Sequence, residues 1–328
     1  MQKNFASQIL RLTIRKQNGM MCIVRIKKRD RKNLAEKKID LAKKTMEKNM
    51  GFLRCPLCAA PFGFDEAFSH SPKCQNGHMY DISKKGYINF FGGFTKITGT
   101  YGKKLFAARK AVSKAGLYGG LTEKLCEIAF GMNPKAVVDA GCGCGNLTAG
   151  IFEKTGRPAT FAVDLSKDGI EAAATDFCAE DLLWIVANLN NLPLSDGRID
   201  LMLNIMSPAS YAEFNRVLKP GGVLLKVMPE AGYLKELRRF IYGQNDKNEY
   251  SNKDVLNNLA AKMDIADTVG LEYSHMVAAE DIPALFDMTP LTQNLGEREK
   301  TKNELQALGD FRVTLAFKIA VCVNKDGV

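Results

Sequence analysis

Four potential metal ligands lie in one short stretch of the chain, CPLCAAPFGFDEAFSHSPKCQNGH, which runs from Cys55 to His78. Two residues separate Cys55 from Cys58, and three separate Cys74 from His78. Each pair can hold a metal from a single tight turn, and the loop between the pairs can bring them together. Three cysteines and one histidine complete a tetrahedral site, so the pattern predicts one structural Zn2+ without an open catalytic position. His70 lies outside both pairs.

A glycine-rich stretch, VVDAGCGCGNL, begins at residue 137. Asp139 ends its apolar run, and Gly141, Gly143 and Gly145 then alternate with other residues. Glycines let the backbone turn sharply beside a ligand, and a helix that starts after them presents N–H groups to that ligand. A dinucleotide site has the spacing G-x-G-x-x-G, whereas the spacing here is G-x-G-x-G. An NAD-binding domain is therefore the weaker alternative.

Further candidate cofactor contacts lie inside this loop and after the next two apolar runs. Cys142 and Cys144 alternate with the glycines, and no basic residue or histidine flanks them to activate a thiol, so we interpret them as small residues beside a cofactor. Asp164 follows the run FAV and can hydrogen-bond both hydroxyls of a ribose, with Leu165 next to it. Asn188 follows the run LLWIVA, where it can meet an adenine edge.

Short apolar runs alternate with segments of helical periodicity downstream of residue 135. The runs are KAVVDAGCGCG, ATFAVDLS, LLWIVANL, RIDLMLNIM and GGVLLKVM. This alternation predicts an α/β fold, with a parallel sheet covered by helices on both faces. The last segment, FRVTLAFKIAVCV, alternates like a strand or hairpin and suits the antiparallel edge of that sheet. Upstream, helical spacing predicts helices that end at Gly116 and Gly131.

The loop after the fourth apolar run, LNIMSPAS, is the candidate substrate-positioning segment. It contains Asn204, Ser207 and Pro208, and it lies at the carboxyl end of the sheet, where doubly wound folds bind ligands. The alternative is that Ser-Pro merely begins the following helix. No residue in the sequence identifies itself as a general base.

Composition bounds the class of protein. The 328 residues suit one large domain with a small one, and no apolar run has the length of a membrane span. The N-terminal residues lack the pattern of a secretory signal. Nine cysteines, an odd number with a cluster among them, favour metal ligation in a reducing compartment. We therefore expect a cytoplasmic protein without a membrane partner.

The excess positive charge lies entirely at the N-terminus. Residues 1–50 hold 15 Lys and Arg against 4 Asp and Glu, whereas the remaining 278 residues hold 31 against 32. Two interpretations of this extension are disorder or partial helix without a face to bury, and a true start of translation at Met50. A third is a basic arm that grips phosphates.

The glycine loop, Asp164 and the turn in RVLKPGGVLL together resemble class I S-adenosylmethionine-dependent methyltransferases over residues 115–325. With the Cys/His segment, and with GHMYDISKKGYINF, ARKAVSKAGLY and MTPLT, the chain resembles the RlmA family from about Leu53 onward. Members of this family are 23S rRNA (guanine-N1)-methyltransferases. The resemblance implies a Rossmann-like fold with a mostly parallel seven-stranded sheet and a small N-terminal zinc-ribbon-like domain.

The resemblance also implies site residues and partners. It implies S-adenosylmethionine as cofactor, contacts to it from Tyr118, Gly143, Cys144 and Tyr233, recognition of a 23S rRNA hairpin by the zinc domain, and a homodimer. The implied division is a basic extension at 1–50, a zinc-binding RNA-recognition domain at 51–98 and a methyltransferase domain at 99–328. The family often has an acidic residue where Cys144 stands and histidine where Tyr233 stands, and TYGKKLF is more basic than its counterpart.

Two other functions compete with rRNA methylation. The first is methylation of a small molecule, such as a quinone or an antibiotic precursor, although small substrates rarely need a zinc segment. The second is a non-catalytic zinc-ribbon RNA-binding protein with a degenerate cofactor pocket. Retention of Asp139, the loop glycines and Asp164 disfavours the second.

Overall fold

The computed structural model describes residues 28–65, 69–91, 102–243 and 251–324, with side chains from residue 37 onward. The strands are β1 (Phe62–Gly63), β2 (Lys73–Cys74), β3 (Tyr87–Asn89), β4 (Ala136–Ala140), β5 (Ala159–Asp164), β6 (Leu182–Val186), β7 (Ile199–Ile205), β8 (Leu218–Pro229), β9 (Asp264–Val277) and β10 (Phe311–Val323). The helices are α1 (Lys28–Lys48), α2 (Lys103–Lys114), α3 (Gly119–Met132), α4 (Asn146–Lys154), α5 (Lys167–Asp176), α6 (Tyr211–Val217), α7 (Lys235–Tyr242), α8 (Lys253–Ala260), α9 (Ile282–Met288) and α10 (Arg298–Ala307).

The main sheet has the order β3-β6-β5-β4-β7-β8-β10-β9 in the described residues. The first six of these strands are parallel, and β10 and β9 are antiparallel to their neighbours. The sheet is therefore mostly parallel, as predicted. It has eight strands here because β3, from the segment after the zinc ligands, adds to the outer side of β6.

Burial along the strands agrees with their positions in the sheet. Strands β4 and β6 are buried at every residue, as expected of parallel strands covered on both faces. The final segment forms β10 as predicted, but β10 is not the edge. Strand β9 occupies the edge instead, and its side chains are mostly exposed or half-buried in alternation. Because β9 has few apolar residues, no apolar run in the sequence predicts it.

The two helices before β4 position one side of the site. Helix α2 ends at Lys114, two residues before Gly116, in agreement with the predicted stop. Gly131 does not end α3; the helix continues to Met132, and Asn133 ends it in the left-handed conformation at φ 46°. Asparagine tolerates that conformation better than most residues because its short polar side chain can bond locally.

Helix α1 shows that part of the basic extension is integral to the fold. Ala42, Thr45 and Met46 are buried, and Met46 has no exposed surface. The expectation that this segment has no face to bury is therefore wrong for residues 37–48. The buried stripe is small residues plus one methionine at helical spacing, so its apolar signal in the sequence is weak. Residues 1–27 lie outside the described residues, as do the side chains of residues 28–36, so the alternative of a phosphate-gripping arm is untested there.

Charged contacts fix the same helix to the loop before β6. Lys44 Nζ lies 3.0 Å from the Glu180 carboxylate, and Lys48 Nζ lies 2.7 Å from that of Asp181. Lys38 Nζ donates a 3.2 Å hydrogen bond to the carbonyl of Ala174 in the last turn of α5, where cations are favoured. In this part of the extension, lysines bind the protein's own acidic and carbonyl oxygens.

The zinc segment is continuous with the core on one face of the sheet. Its residues Leu53, Phe62 and Ile82 belong to the same buried cluster as Phe161 of β5 and Leu183 of β6. A second cluster, made by α3, α9 and the opposite faces of β7, β8 and β10, covers the other side. Among the described helices, none combines the length and apolar character needed to cross a bilayer.

Candidate active site and metal centre

The four predicted metal ligands lie together. Their potential ligand atoms are all within 4.8 Å of one another. Cys55 Sγ is 3.6 Å from His78 Nδ1, Cys74 Sγ is 3.4 Å from the same nitrogen, and Cys58 Sγ is 3.6 Å from Cys74 Sγ. A tetrahedron with zinc–sulfur bonds of about 2.3 Å has edges of about 3.8 Å. The cluster therefore fits one zinc ion held by Cys55, Cys58, Cys74 and His78.

Backbone geometry around the cluster prepares it for a metal. A hydrogen bond from the backbone N–H of Ala60 is the main interaction that lowers the pKa of Cys58, to about 6. This thiol is therefore mostly ionised at neutral pH, as a zinc ligand must be. Tyr80 Oη lies 3.6 Å from Cys55 Sγ. The short pairing of β1 with β2 places Cys74 opposite Phe62. His70, outside the cluster, contacts Asp40 of α1 at 2.8 Å instead.

A cavity of about 570 Å³ opens at the carboxyl ends of β4, β5, β6 and β7. This volume is typical of small-molecule and cofactor sites. Ten of the eleven predicted cofactor residues line it. They are Tyr118, Asp139, Gly141, Cys142, Gly143, Cys144, Asp164, Leu165, Asn188 and Tyr233. Gly145 does not line the cavity.

Gly145 has a packing role behind the loop. Its φ is +75°, and a Cβ at this position would lie 2.4 Å from the Trp184 ring. Gly141 is equally constrained, because a Cβ there would lie 1.9 Å from Ser207 Oγ. The glycines therefore let the loop after β4 pass between β6 on one side and the loop after β7 on the other.

Asp139 is a buried carboxylate with one unused oxygen. Its Oδ2 accepts a 2.5 Å hydrogen bond from Thr148, and its buried Oδ1 has no hydrogen-bond partner among the described residues. Burial raises the pKa of Asp139 to about 7. An unpartnered buried acceptor beside a cavity fits a ligand that brings a donor or a positive charge.

Asp164 has the geometry expected of a ribose-binding acid. Gly143 N–H donates to its Oδ2 at 2.8 Å, and Ser166 N–H donates to its Oδ1 at 2.7 Å. Burial raises the pKa of Asp164, and these backbone donors oppose that rise. The two donors fix the carboxylate at the cavity wall between the loops after β4 and β5. The remaining lone pairs can accept hydrogen bonds from two ligand hydroxyls.

Only two of the three predicted substrate-positioning residues at the end of β7 and in the loop after it line the cavity. Ser207 and Pro208 line the cavity, but Asn204 does not, and Asn204 is fully buried. Its side-chain N–H groups donate to the carbonyls of Ala140 at 2.7 Å and Pro208 at 3.0 Å. Its Oδ1 accepts from Lys226 Nζ at 2.5 Å. Asn204 therefore holds the loop, and its amide is not available to a substrate base in this structure.

Two tyrosines close the opposite side of the cavity. The hydroxyls of Tyr118 and Tyr233 are 3.0 Å apart, and the Tyr118 hydroxyl also donates to Met288 Sδ at 3.5 Å. Burial raises the pKa of both phenols, so both are neutral at physiological pH. The segment MTPLT, to which Met288 belongs, thus reaches the site from the far end of the chain.

Burial also decides the chemistry of the loop cysteines. It raises the pKa of Cys142 well above its usual value and raises that of Cys144 as well. Both are thiols at neutral pH, in agreement with their interpretation as small cofactor neighbours and not nucleophiles.

Helix α2 supplies residues that the sequence search missed. Phe106, Arg109 and Ser113 line the cavity with Thr289 and Pro290. Arg109 is the one lysine, arginine or histidine among the described lining residues. Its Nε donates to the carbonyl of Met288 at 3.4 Å, and its guanidinium lies over the Phe106 ring, 5.9 Å from the centroid. The only signal was their spacing at intervals of three or four on one helix.

S-adenosylmethionine fits this set of residues. The unpartnered Asp139 oxygen suits a cationic group, Asp164 suits a ribose, and Arg109 suits a carboxylate. Tight turns at Gly141 and Gly143 bring backbone atoms to the cavity wall. The residues thus offer complementary groups for the amino group, the carboxylate and the ribose of that cofactor.

Comparisons with known proteins agree with both halves of the site. Residues 53–92 match the family model described as "RlmA, N-terminal", a zinc ribbon, and residues 137–222 match the model described as "Methyltransferase domain". The "Putative 23S rRNA (guanine-N(1)-)-methyltransferase YxjB" of Bacillus subtilis (strain 168) is 37% identical over 260 residues, which cover 76% of this chain and 89% of that protein.

A second relative has a similar name. The "23S rRNA (guanine(748)-N(1))-methyltransferase" of Streptomyces fradiae is 34% identical over 201 residues, covering 58% of this chain and 69% of that protein. The zinc ribbon match, the methyltransferase match and the extent of the Bacillus subtilis similarity establish that the chain belongs to the RlmA family of 23S rRNA (guanine-N1)-methyltransferases.

Proposed function

We propose that this protein transfers a methyl group from S-adenosylmethionine to N1 of an unpaired guanine in a 23S rRNA hairpin loop. The observation that carries the proposal is the coexistence, in one chain, of an intact RlmA-type zinc cluster and a complete cofactor cavity. A non-catalytic scaffold would not need to keep a buried acid unpartnered at the cavity wall.

The bond changes are simple. The cofactor, when bound, supplies an electrophilic methyl group on a sulfonium; the guanine N1–C bond forms, the sulfur–methyl bond breaks, and the N1 proton leaves to solvent. The protein's contribution is in-line positioning, which can supply much of the rate in a two-substrate transfer. No side chain of the described cavity lining is assigned as the base.

Asp139, Asp164 and Arg109 are proposed to orient the cofactor. We assign the Asp139 carboxylate to the cofactor's ammonium and the Asp164 carboxylate to its ribose hydroxyls. The Arg109 guanidinium, fixed between Met288 and Phe106, is assigned to the carboxylate. Charge-assisted hydrogen bonds of this kind are short and about twice as strong as neutral ones. The remaining predicted lining residues, including Asn188 and Tyr233, are proposed to shape the walls.

Ser207 and Pro208 are proposed to face the target base, because they line the cavity at the end of β7. A stacked and paired guanine hides N1, so the target must be unpaired or flipped out of its stack. The zinc segment is proposed to hold the hairpin that presents it. We retain 51–98 and 99–328 as the RNA-recognition and methyltransferase domains; the boundary lies among residues outside the described ranges.

Location and assembly are part of the same proposal. An rRNA substrate supports action in the cytoplasm without a membrane partner, and the family resemblance supports a homodimer. Light scattering on the purified full chain distinguishes a mass near 72 kDa from the 36.2 kDa of one chain.

Transfer of label from radioactive S-adenosylmethionine to naked, unmodified 23S rRNA tests the function. We expect label in the RNA with the wild-type protein and none with Asp164→Ala, which removes the ribose acceptor. A matched control is Asp168→Ala, which changes a half-buried acid in the first turn of α5 that does not line the cavity and should retain transfer. Cofactor binding without any label in RNA would contradict the proposal and favour a small-molecule methyltransferase.

A further inference from the structure

One non-glycine residue at the cavity has a strained backbone. Met206 has φ +48° and therefore lies in the left-handed region, which is unfavourable for a residue with a long side chain. Such strain persists only where surrounding contacts over-determine the conformation, and it concentrates at functional sites. Met206 lines the cavity and stays 37% exposed, so its side chain is presented and not buried.

Contacts on both sides of Met206 enforce this conformation. Its own N–H donates to the Val227 carbonyl at 3.0 Å. The next residue, Ser207, fills the space that Gly141 leaves empty. On the other side, Asn204 is held by its hydrogen bonds to the carbonyls of Ala140 and Pro208.

A buried lysine completes the set of contacts that hold this loop. Lys226, opposite Asn204 across β7 and β8, is 5% exposed. Its Nζ donates to Asn204 Oδ1 at 2.5 Å and to the Ser207 carbonyl at 2.6 Å. Burying an ammonium without a paired carboxylate is unfavourable, and burial lowers the pKa of Lys226 to about 8. The loop after β7 is thus held in place at the cost of two unfavourable features, the buried Lys226 ammonium and the strained Met206 backbone.

These contacts leave the Met206 thioether exposed at the mouth of the cofactor cavity. Methionine is flexible and polarisable, and its sulfur makes favourable contacts with aromatic rings. A base taken out of its stack needs an apolar surface against one face. Resting on the proposed rRNA function, the geometry points to Met206 as a substrate-binding residue whose side chain packs against the flat face of the target guanine.

Three substitutions distinguish the effect of losing the Met206 side chain from the effect of relieving its backbone strain. Met206→Ala removes the thioether; Met206→Gly removes it and also relieves the left-handed strain; Met206→Leu keeps most of the bulk. We expect the KM for 23S rRNA to rise roughly threefold to tenfold for the alanine and glycine variants, and less for leucine. The dissociation constant for S-adenosylmethionine, measured by calorimetry without RNA, should stay within about twofold.

Leu165→Ala is the matched control. Leu165 lines the same cavity and is 39% exposed, but it follows the ribose acid Asp164. We expect this variant to weaken cofactor binding in the calorimeter, which none of the Met206 variants should do.

Two results would overturn the inference alone while the wild-type protein still methylates rRNA. One is an unchanged KM for RNA in both Met206→Ala and Met206→Gly. The other is a weakened cofactor affinity in those variants, which would place Met206 against the cofactor. Absence of transfer by the wild-type protein would overturn the proposed function, and the inference with it.

Discussion

Thr148 Oγ1 donates a 2.5 Å hydrogen bond to Asp139 Oδ2, and no described residue bonds the other oxygen of that carboxylate. The hydroxyl anchors Asp139 in one orientation, with Oδ1 left for a ligand. A single buried acid, half satisfied by its own protein, is therefore the clearest mark of the cofactor site.

The first prediction concerns the pH dependence of cofactor binding. Burial raises the pKa of Asp139 to about 7, so the free protein is mostly protonated there at pH 6 and mostly ionised at pH 7.5. Binding a cation favours the ionised form and lowers this pKa, so affinity must rise with pH. We expect binding about fivefold tighter at pH 7.5 than at pH 6, because the gain from ionised Asp139 is partly offset by loss of charge from the cofactor's amino group.

Calorimetry at several pH values checks this prediction. At pH 7.5 an α-amino group with a pKa of about 7.7–8.0 is still mostly protonated, so the ligand keeps most of its charge across this range. Asp139→Asn should bind more weakly and lose the pH dependence. An equal pH dependence in Asp139→Asn would show that another group titrates.

The second prediction concerns Arg109. Arg109→Gln should weaken S-adenosylmethionine binding by about 1.5–3 kcal/mol, or roughly tenfold to a hundredfold, because a charge-assisted bond to the carboxylate is lost. Binding of 5′-methylthioadenosine, which lacks that carboxylate, should change less than about twofold. Lys110→Gln is the control, since Lys110 pairs with Asp176 and does not line the cavity. A raised KM for RNA with unchanged cofactor affinity would reassign Arg109 to the nucleic acid.

The third prediction concerns the N-terminal helix. Met46→Ala should lower the free energy of unfolding by about 2–4 kcal/mol, because Met46 is fully buried against the core. Lys44→Ala removes only an exposed ion pair and should cost less than about 1 kcal/mol. Urea denaturation followed by fluorescence of the single tryptophan compares them.

A chain that begins at Met50 extends the same test. It lacks the whole of α1 and should be less stable than Met46→Ala. Equal stability of that shortened chain and the full chain would contradict an integral role for the helix.

The fourth prediction concerns the metal. The full chain should contain one zinc per chain by elemental analysis, and Cys58→Ser should contain much less. That variant should lose rRNA methylation while keeping cofactor affinity within about threefold, since none of the four ligands lines the cavity. The control is Cys178→Ser, an exposed cysteine outside the cluster. Wild-type rRNA methylation by zinc-free Cys58→Ser would refute a role for the metal in RNA recognition.

Local patterns predicted much of this molecule. The spacing of Cys55, Cys58, Cys74 and His78 was sufficient because short chelating pairs impose their own geometry. The buried parallel strands were visible as apolar runs for a similar reason. Asp164 was found because it follows such a run at the carboxyl edge of the sheet.

The missed features depend on tertiary contacts. Arg109 looks like an ordinary helix-surface cation until α9 packs on α2 and brings Met288 to it. Lys226 interrupts an apolar strand, and the sequence alone predicts a substrate contact for Asn204. Only the strand register shows that these two residues face each other. Helix α1 carries too little apolar surface to reveal a buried face.

Primer extension on the rRNA after the reaction is a direct test of methylation at guanine N1. Methylation at guanine N1 removes a Watson–Crick donor, so reverse transcriptase should stop beside a single modified nucleotide. We expect one new stop, beside a hairpin-loop guanine, that appears with wild-type protein and S-adenosylmethionine and is absent with Asp164→Ala. No new stop in fully labelled RNA, or stops spread over many paired positions, would contradict it.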